Sequence, residues 1–157
     1  LGKYSLEEFG IKLSYHHHVG TMVENISEVD RLLNETDDRY VSLNYDCGHF
    51  YFANENPLKA IKKYMSRISH IHLKDVRDNV KSRVEKENLS FLEGVKLGIF
   101  TVPGDGDIEK MNEILSYIKN QNYNGWVVVE AEQDSAVANP LEYAKMGYEF
   151  INKHINI

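Results

Sequence analysis

The stretch ISHIHLKD, Ile68 to Asp75, alternates apolar and polar residues and then turns wholly polar. Successive side chains of a strand face opposite sides, so His70, His72 and Lys74 share one face while Ile71 and Leu73 share the other. Three further runs repeat this design. In VSLNYDCGH, Val41 to His49, the residues Ser42, Asn44 and Asp46 oppose Val41, Leu43 and Tyr45. In KLSYHHH, Lys12 to His18, the residues Ser14, His16 and His18 oppose Ile11, Leu13 and Tyr15. In WVVVEAE, Trp126 to Glu132, Trp126, Val128, Glu130 and Glu132 oppose Val127, Val129 and Ala131. Each strand thus offers an apolar face to helices and a second face that becomes polar towards its C-terminal end. Polar groups gathered at the C-terminal ends of parallel strands are how α/β barrels assemble their sites.

Between these runs lie helical patterns. Val23, Ile26, Val29 and Leu33 recur at helical spacing over Glu24–Asn34, and Leu58, Ile61 and Met65 do so behind Pro57, a favoured first-turn residue. Ile108, Met111, Ile114, Leu115 and Ile118 mark a helix near Ile108–Asn120, and a last helix is expected near Pro140–Lys153. Strands are expected at Ile11–His16, Val41–Asp46, Ile68–Leu73 and Trp126–Ala131. Strict alternation of strand and helix implies a parallel sheet with right-handed crossovers. The expected class is therefore α/β, about four βα units of a parallel (β/α) barrel. A complete barrel takes ~250 residues, so the 157 residues read as one half of a single barrel domain. Leu1–Phe9 reads as the tail of a helix stopped at Gly10, as expected of a piece of something longer. A doubly wound open sheet is the competing architecture, disfavoured because no glycine-rich phosphate loop follows the first strand. Half a barrel would leave two strand edges unpaired, which favours association and a possible homo-oligomer.

Composition narrows the function classes. Lys and Arg number 18 against 24 Asp and Glu, a formal net charge of −6, which argues against gripping nucleic acid through its phosphates. No run is long and apolar enough for a membrane span, and the opening LGKYSLEEFG does not read as a signal peptide. Cys47 is the only cysteine, so no intrachain disulfide is expected and the cytoplasm is the default compartment.

The chemistry sits at the strand ends. Asp46, His72 and Glu130 each close a different strand on its polar face, and carboxylate with imidazole suits Mn, Co, Fe or Zn. An isolated strand-end Asp is more often a cap, and a lone His more often a packed core residue. Their coincidence on several strands favours a metal site. His16 and His18 both point inward by alternation: one is expected to complete the metal shell and the other to contact substrate. Gly48 is expected to turn the chain at once after Asp46, returning His49 over the mouth as an acid–base group; a His packed in the loop is the plainer alternative. Cys47 should be a small buried thiol facing the helices. Lys74 continues the inward face of His72, and Arg77 is a candidate to reach back to a substrate oxygen, although exposed basic residues commonly do nothing of the kind. Asp75 should orient its neighbours or cap the loop. In VPGDGDI, Val102 to Ile108, the plain reading is a turn with Asp107 capping the next helix. The segment Ser90–Val102 is apolar for a surface loop, as in a packed lid.

At these residues the chain resembles the xylose-isomerase-like barrel superfamily of sugar isomerases, epimerases and endonuclease IV. The marks are Asp46-Cys-Gly-His49, His72-Leu-Lys-Asp75 and Glu130. Within it, YHHHVGT (15–21), SHIHLKDVR (69–77), SFLEGVKLGIFTVPGDG (90–106) and VVVEAEQDSAVANPLEYA (127–144) resemble the inosose dehydratases. The resemblance covers nearly the whole chain and implies removal of water from 2-keto-myo-inositol, giving a trihydroxycyclohexane-dione in inositol catabolism. It also implies a keto-polyol substrate and Mn²⁺ or Co²⁺ as the metal, held by His16, Asp46, His72 and Glu130. Glu130 and His49 would be catalytic, and His18, Lys74, Arg77 and Glu132 would bind substrate. Sugar epimerases of the superfamily carry Glu where this chain has His16, which leaves His18 a rival first ligand. The other functions in play are a ketose epimerase or hydroxypyruvate-type isomerase, an endonuclease IV-like phosphodiesterase, and an inactive metal-binding half-barrel.

Overall fold

The computed structural model describes residues 1–155. Helix α1 (Gly2–Phe9) leads to strand β1 (Leu13–His16), then α2 (Ile26–Asn34), β2 (Val41–Asp46), α3 (Cys47–Phe52) and α4 (Pro57–Tyr64). After a 3₁₀ turn at Met65–Arg67 come β3 (Ile68–Leu73), β4 (Asp75–Val76), α5 (Asp78–Glu87), α6 (Phe91–Lys96) and β5 (Phe100–Thr101). The chain continues through α7 (Met111–Asn120), β6 (Trp126–Val129) and α8 (Pro140–Ile155). Four strands form one parallel sheet in the order β1-β2-β3-β6, as the alternation requires. The register sets His16 beside Asn44, Asp46 beside His72, and His72 beside Val128. The polar strand ends are therefore neighbours.

The apolar faces pack as expected. Leu43, Tyr45, Ile71 and Leu73 are fully buried beneath Phe50 of α3, Ile61 of α4, and Ile114 and Leu115 of α7. On the opposite face Ser14, Ser42 and Ser69 form a hydroxyl chain at 2.5 and 3.2 Å. A register shift between Leu43 and Asn44 lets Ser69 and His70 both approach β2. Strands β1 and β6 are the edges of this sheet, and Trp126 on β6 is 76% exposed.

Four expectations need correction. Strand β1 starts at Leu13 rather than Ile11, because Gly10 in the left-handed region (φ 67°) wraps the end of α1 and Ile11 N–H is bound to Ser5 C=O at 3.1 Å. The expected strict strand–helix alternation breaks after β3: β4 and β5 pair antiparallel, with α5 and α6 between them. Asp107 accepts from Asp78 N–H at 2.9 Å and so serves the start of α5, not the helix that follows it. Gly48 lies inside α3 with no left-handed dihedral. Its smallness provides room instead, since a Cβ there would stand 2.7 Å from Lys74 Cγ and 2.9 Å from Lys74 Cβ. Gly48→Val is accordingly expected to cost about 1–3 kcal/mol through overpacking. A urea midpoint equal to that of the parent sequence would contradict this placement.

Candidate metal centre

Asp46 does two jobs with its two oxygens. Oδ1 accepts from Gly48 N–H (2.9 Å) and His49 N–H (3.1 Å), capping α3. Oδ2 is left facing the polar strand ends: His16 Nε2 at 3.3 Å, His72 Nδ1 at 3.6 Å and Lys74 Nζ at 3.6 Å. Glu130 Oε2 completes the group, 2.9 Å from His72 Nδ1 and 3.1 Å from Lys74 Nζ. One donor atom from each of His16, Asp46, His72 and Glu130 lies within 4.8 Å of the others. His18, His49 and Glu132 form a second group of the same tightness. The two are joined by Lys74, whose ammonium also reaches Glu132 Oε2 at 2.5 Å and His49 Nε2 at 2.9 Å.

The electrostatics follow from burial. Asp46 is fully buried, which disfavours its ionised form, yet the Lys74 ammonium and the His16 and His72 imidazoles prevail and hold its carboxyl well below the usual range. His72 is opposed by its own burial, but Asp46 and Glu130 raise it to about 9. Burial lowers His49 to about 2 and His17 to about 4. His17 faces away from the cluster: it stacks on Phe50 at 3.8 Å and its Nε2 accepts from Asp46 N–H at 3.2 Å. Cys47 is buried as expected, bonded to the Lys74 backbone, with its thiol pushed up by burial.

The group fits a divalent cation. Two carboxylates and two imidazoles supply hard and borderline donors to one point. His72 Nδ1 and Glu130 Oε2 are both buried and lie 2.9 Å apart, with the Lys74 ammonium 3.1 Å from the latter. A divalent cation would take the place of the His72 proton between these two atoms, drawing on the Nδ1 lone pair and the carboxylate together.

Two expected residues are placed differently. His49 does not return over the mouth. It winds directly into α3, fully buried, with its ring 3.8 Å from that of His18. Arg77 does not join the cluster, because its guanidinium is held by Gly98 C=O at 2.7 Å, Thr101 Oγ1 at 3.0 Å and Asp105 Oδ2 at 2.7 Å. Asp75 orients its neighbours as expected, accepting from Val76, Gly104 and Ile108 N–H groups. The segment 90–102 packs down on the site, where Phe91 lies 5.0 Å from the His18 ring. Asn44 joins the site as a residue that the strand-end motifs do not include. Its Nδ2 lies 3.3 Å from His72 Nε2, and its place on the inward face of β2 was the available signal. No described helix is long and apolar enough to cross a membrane.

The chain resembles known proteins along its length. An inosose dehydratase of Bacillus thuringiensis (strain Al Hakam) is 50% identical over 153 residues, which covers 98% of this chain and 51% of that protein. Another of Clostridium botulinum (strain Alaska E43 / Type E3) is 46% identical over 157 residues, all of this chain and 52% of its own length. The chain thus spans about half the length of the curated relatives it matches. Among solved structures, the IOLI protein with a binding zinc atom superposes with a TM-score of 0.69 at 20% identity, covering 97% of this chain and 53% of that one. That likeness establishes the barrel fold. The family described as xylose isomerase-like TIM barrel matches residues 2–154, and the chain belongs to it.

Proposed function

We propose that this chain is the C-terminal half of a cytoplasmic, metal-dependent hydro-lyase that removes water from 2-keto-myo-inositol in inositol catabolism. The observation that carries the reading is the convergence of His16, Asp46, His72 and Glu130 on one point at the strand ends, in a chain 46–50% identical to inosose dehydratases. Mn²⁺ or Co²⁺ would be held by these four residues and would stabilise negative charge developing on the substrate's carbonyl oxygen. The rest of the chemistry falls to the side chains. The carboxylates of Glu130 and Glu132 are about a quarter exposed and reach the mouth, whereas Lys74 lies buried directly behind both. Glu130 takes the proton from the carbon next to the ketone. The C–O bond to the β-hydroxyl then breaks, and the leaving group receives a proton from Lys74 through Glu132 to depart as water. His49, accepting from Lys74 Nζ, holds the ammonium in place rather than meeting substrate. His18 donates through Nδ1 to Val19 C=O at 2.8 Å, which turns Nε2 towards Glu132 and the substrate's hydroxyls.

The test is product analysis with the full-length parent, of which this chain would be half. The expected result is a dione from inosose, abolished by chelator and restored by Mn²⁺ or Co²⁺. The chain alone should bind metal and turn over little, because the wall that orients substrate and excludes water lies outside it. Epimerisation of a free ketose, with no dione from inosose, would move the reading to the sugar epimerases.

A further inference from the structure

Asn44 has no role in the chemistry above, yet it is a nearly buried polar side chain beneath the cluster. It sits on the central strand β2, paired with His16 on one side and His70 on the other. Its amide touches His72 Nε2 at 3.3 Å, and among the described residues its Oδ1 has no hydrogen-bond partner. The other ring nitrogen, His72 Nδ1, faces Glu130 and Asp46. A neutral imidazole that gives the lone pair of Nδ1 to a cation carries its N–H on Nε2. That N–H then requires an acceptor in a buried place. The two ends of an Asn amide are isosteric, and which end faces a neighbour follows from the hydrogen-bond network. Turning Oδ1 towards Nε2–H satisfies both groups at once.

We propose that Asn44 is a positioning residue of the metal centre: its amide oxygen accepts the Nε2–H of His72, fixing the tautomer and ring plane that aim Nδ1 at the cation. The inference rests on the reading of the four-residue cluster as a cation site. Outer partners of ligating histidines of this kind typically contribute ~10–100-fold to metal affinity. A serine hydroxyl would fall short of the ring, whereas an aspartate keeps an acceptor at the same reach.

The experiment is Mn²⁺ titration of chelator-stripped protein by calorimetry, alongside its thermal midpoint. Asn44→Ala should bind Mn²⁺ about 10–100-fold more weakly, and Asn44→Asp should restore affinity to within a few-fold of the parent sequence. Asn44→Leu, close in volume, replaces the alanine variant should that one fail to fold, and the same loss is expected of it. Asp46→Ala serves as the control, with binding lost. Affinity within twofold in Asn44→Ala, with binding lost in Asp46→Ala, overturns the role of Asn44 and leaves the cation site standing. Equal loss in Asn44→Ala and Asn44→Asp also overturns it, since a carboxylate that accepts from Nε2 should rescue. Affinity retained in Asp46→Ala as well overturns the cation site and this inference with it.

Discussion

Asp46→Asn is expected to weaken Mn²⁺ binding by well over 100-fold while leaving the fold nearly intact. The substitution keeps an oxygen at the Oδ1 position, so the caps to Gly48 and His49 N–H can persist. It removes the charge from Oδ2, the atom that faces His16, His72 and Lys74. Even at an effective dielectric of about 20, opposite unit charges at 4 Å attract by roughly 4 kcal/mol, and a divalent ion in direct contact gains more. Each 1.4 kcal/mol is a factor of ten, so well over two decades of affinity are at stake. Asp46→Ala should lose the same affinity and also about 1 kcal/mol of stability with the cap. Metal titration and thermal melts of the two variants separate these effects. Equal affinity in Asp46→Asn and the parent sequence would remove Asp46 from the site.

The second large effect is expected at Lys74, and its signs are opposed. Lys74→Met in the full-length parent should lower kcat by about 10²–10⁴-fold, the usual contribution of a positioned proton donor. Mn²⁺ affinity should not fall and should rise, because the ammonium stands 3.6 Å from Asp46 Oδ2 and 3.1 Å from Glu130 Oε2 and repels a cation held there. A parallel fall in kcat and metal affinity would show Lys74 to be structural only. Unchanged kcat would exclude it as the source of the departing group's proton.

The strands and the four-residue cluster were legible because two-residue periodicity is local and strong. It placed Asp46, His72 and Glu130 on one face without knowledge of any contact, and parallel pairing then made them neighbours. It left His16 and His18 open, and the geometry divides them, with His16 beside Asp46 and His18 beside Glu132. What was not legible depends on distant partners. Arg77 reads as a substrate contact or an exposed base because nothing near it in sequence announces Asp105 and Gly98 as its acceptors. His49 read as a loop residue because glycine usually marks a turn, whereas the Asp46 carboxylate starts a helix there and buries the ring. The two-residue strands β4 and β5 carry no periodicity of their own, and Asp75 and Arg77 tie that region together from a distance. The inward face of β2 shows Asn44 in the sequence, but its reach to His72 depends on a register shift that no sequence pattern displays.

The most direct measurement is anomalous scattering from crystals of this chain, or of its full-length parent, grown with Mn²⁺. A single strong peak is expected within ~2.0–2.3 Å of His16, Asp46, His72 and Glu130 donor atoms. The atoms expected to touch it are His72 Nδ1, Glu130 Oε2 and Asp46 Oδ2, with Asn44 against the far nitrogen of His72. A peak seated instead among His18, His49 and Glu132, or metal-soaked crystals with no peak at either group, would contradict that placement.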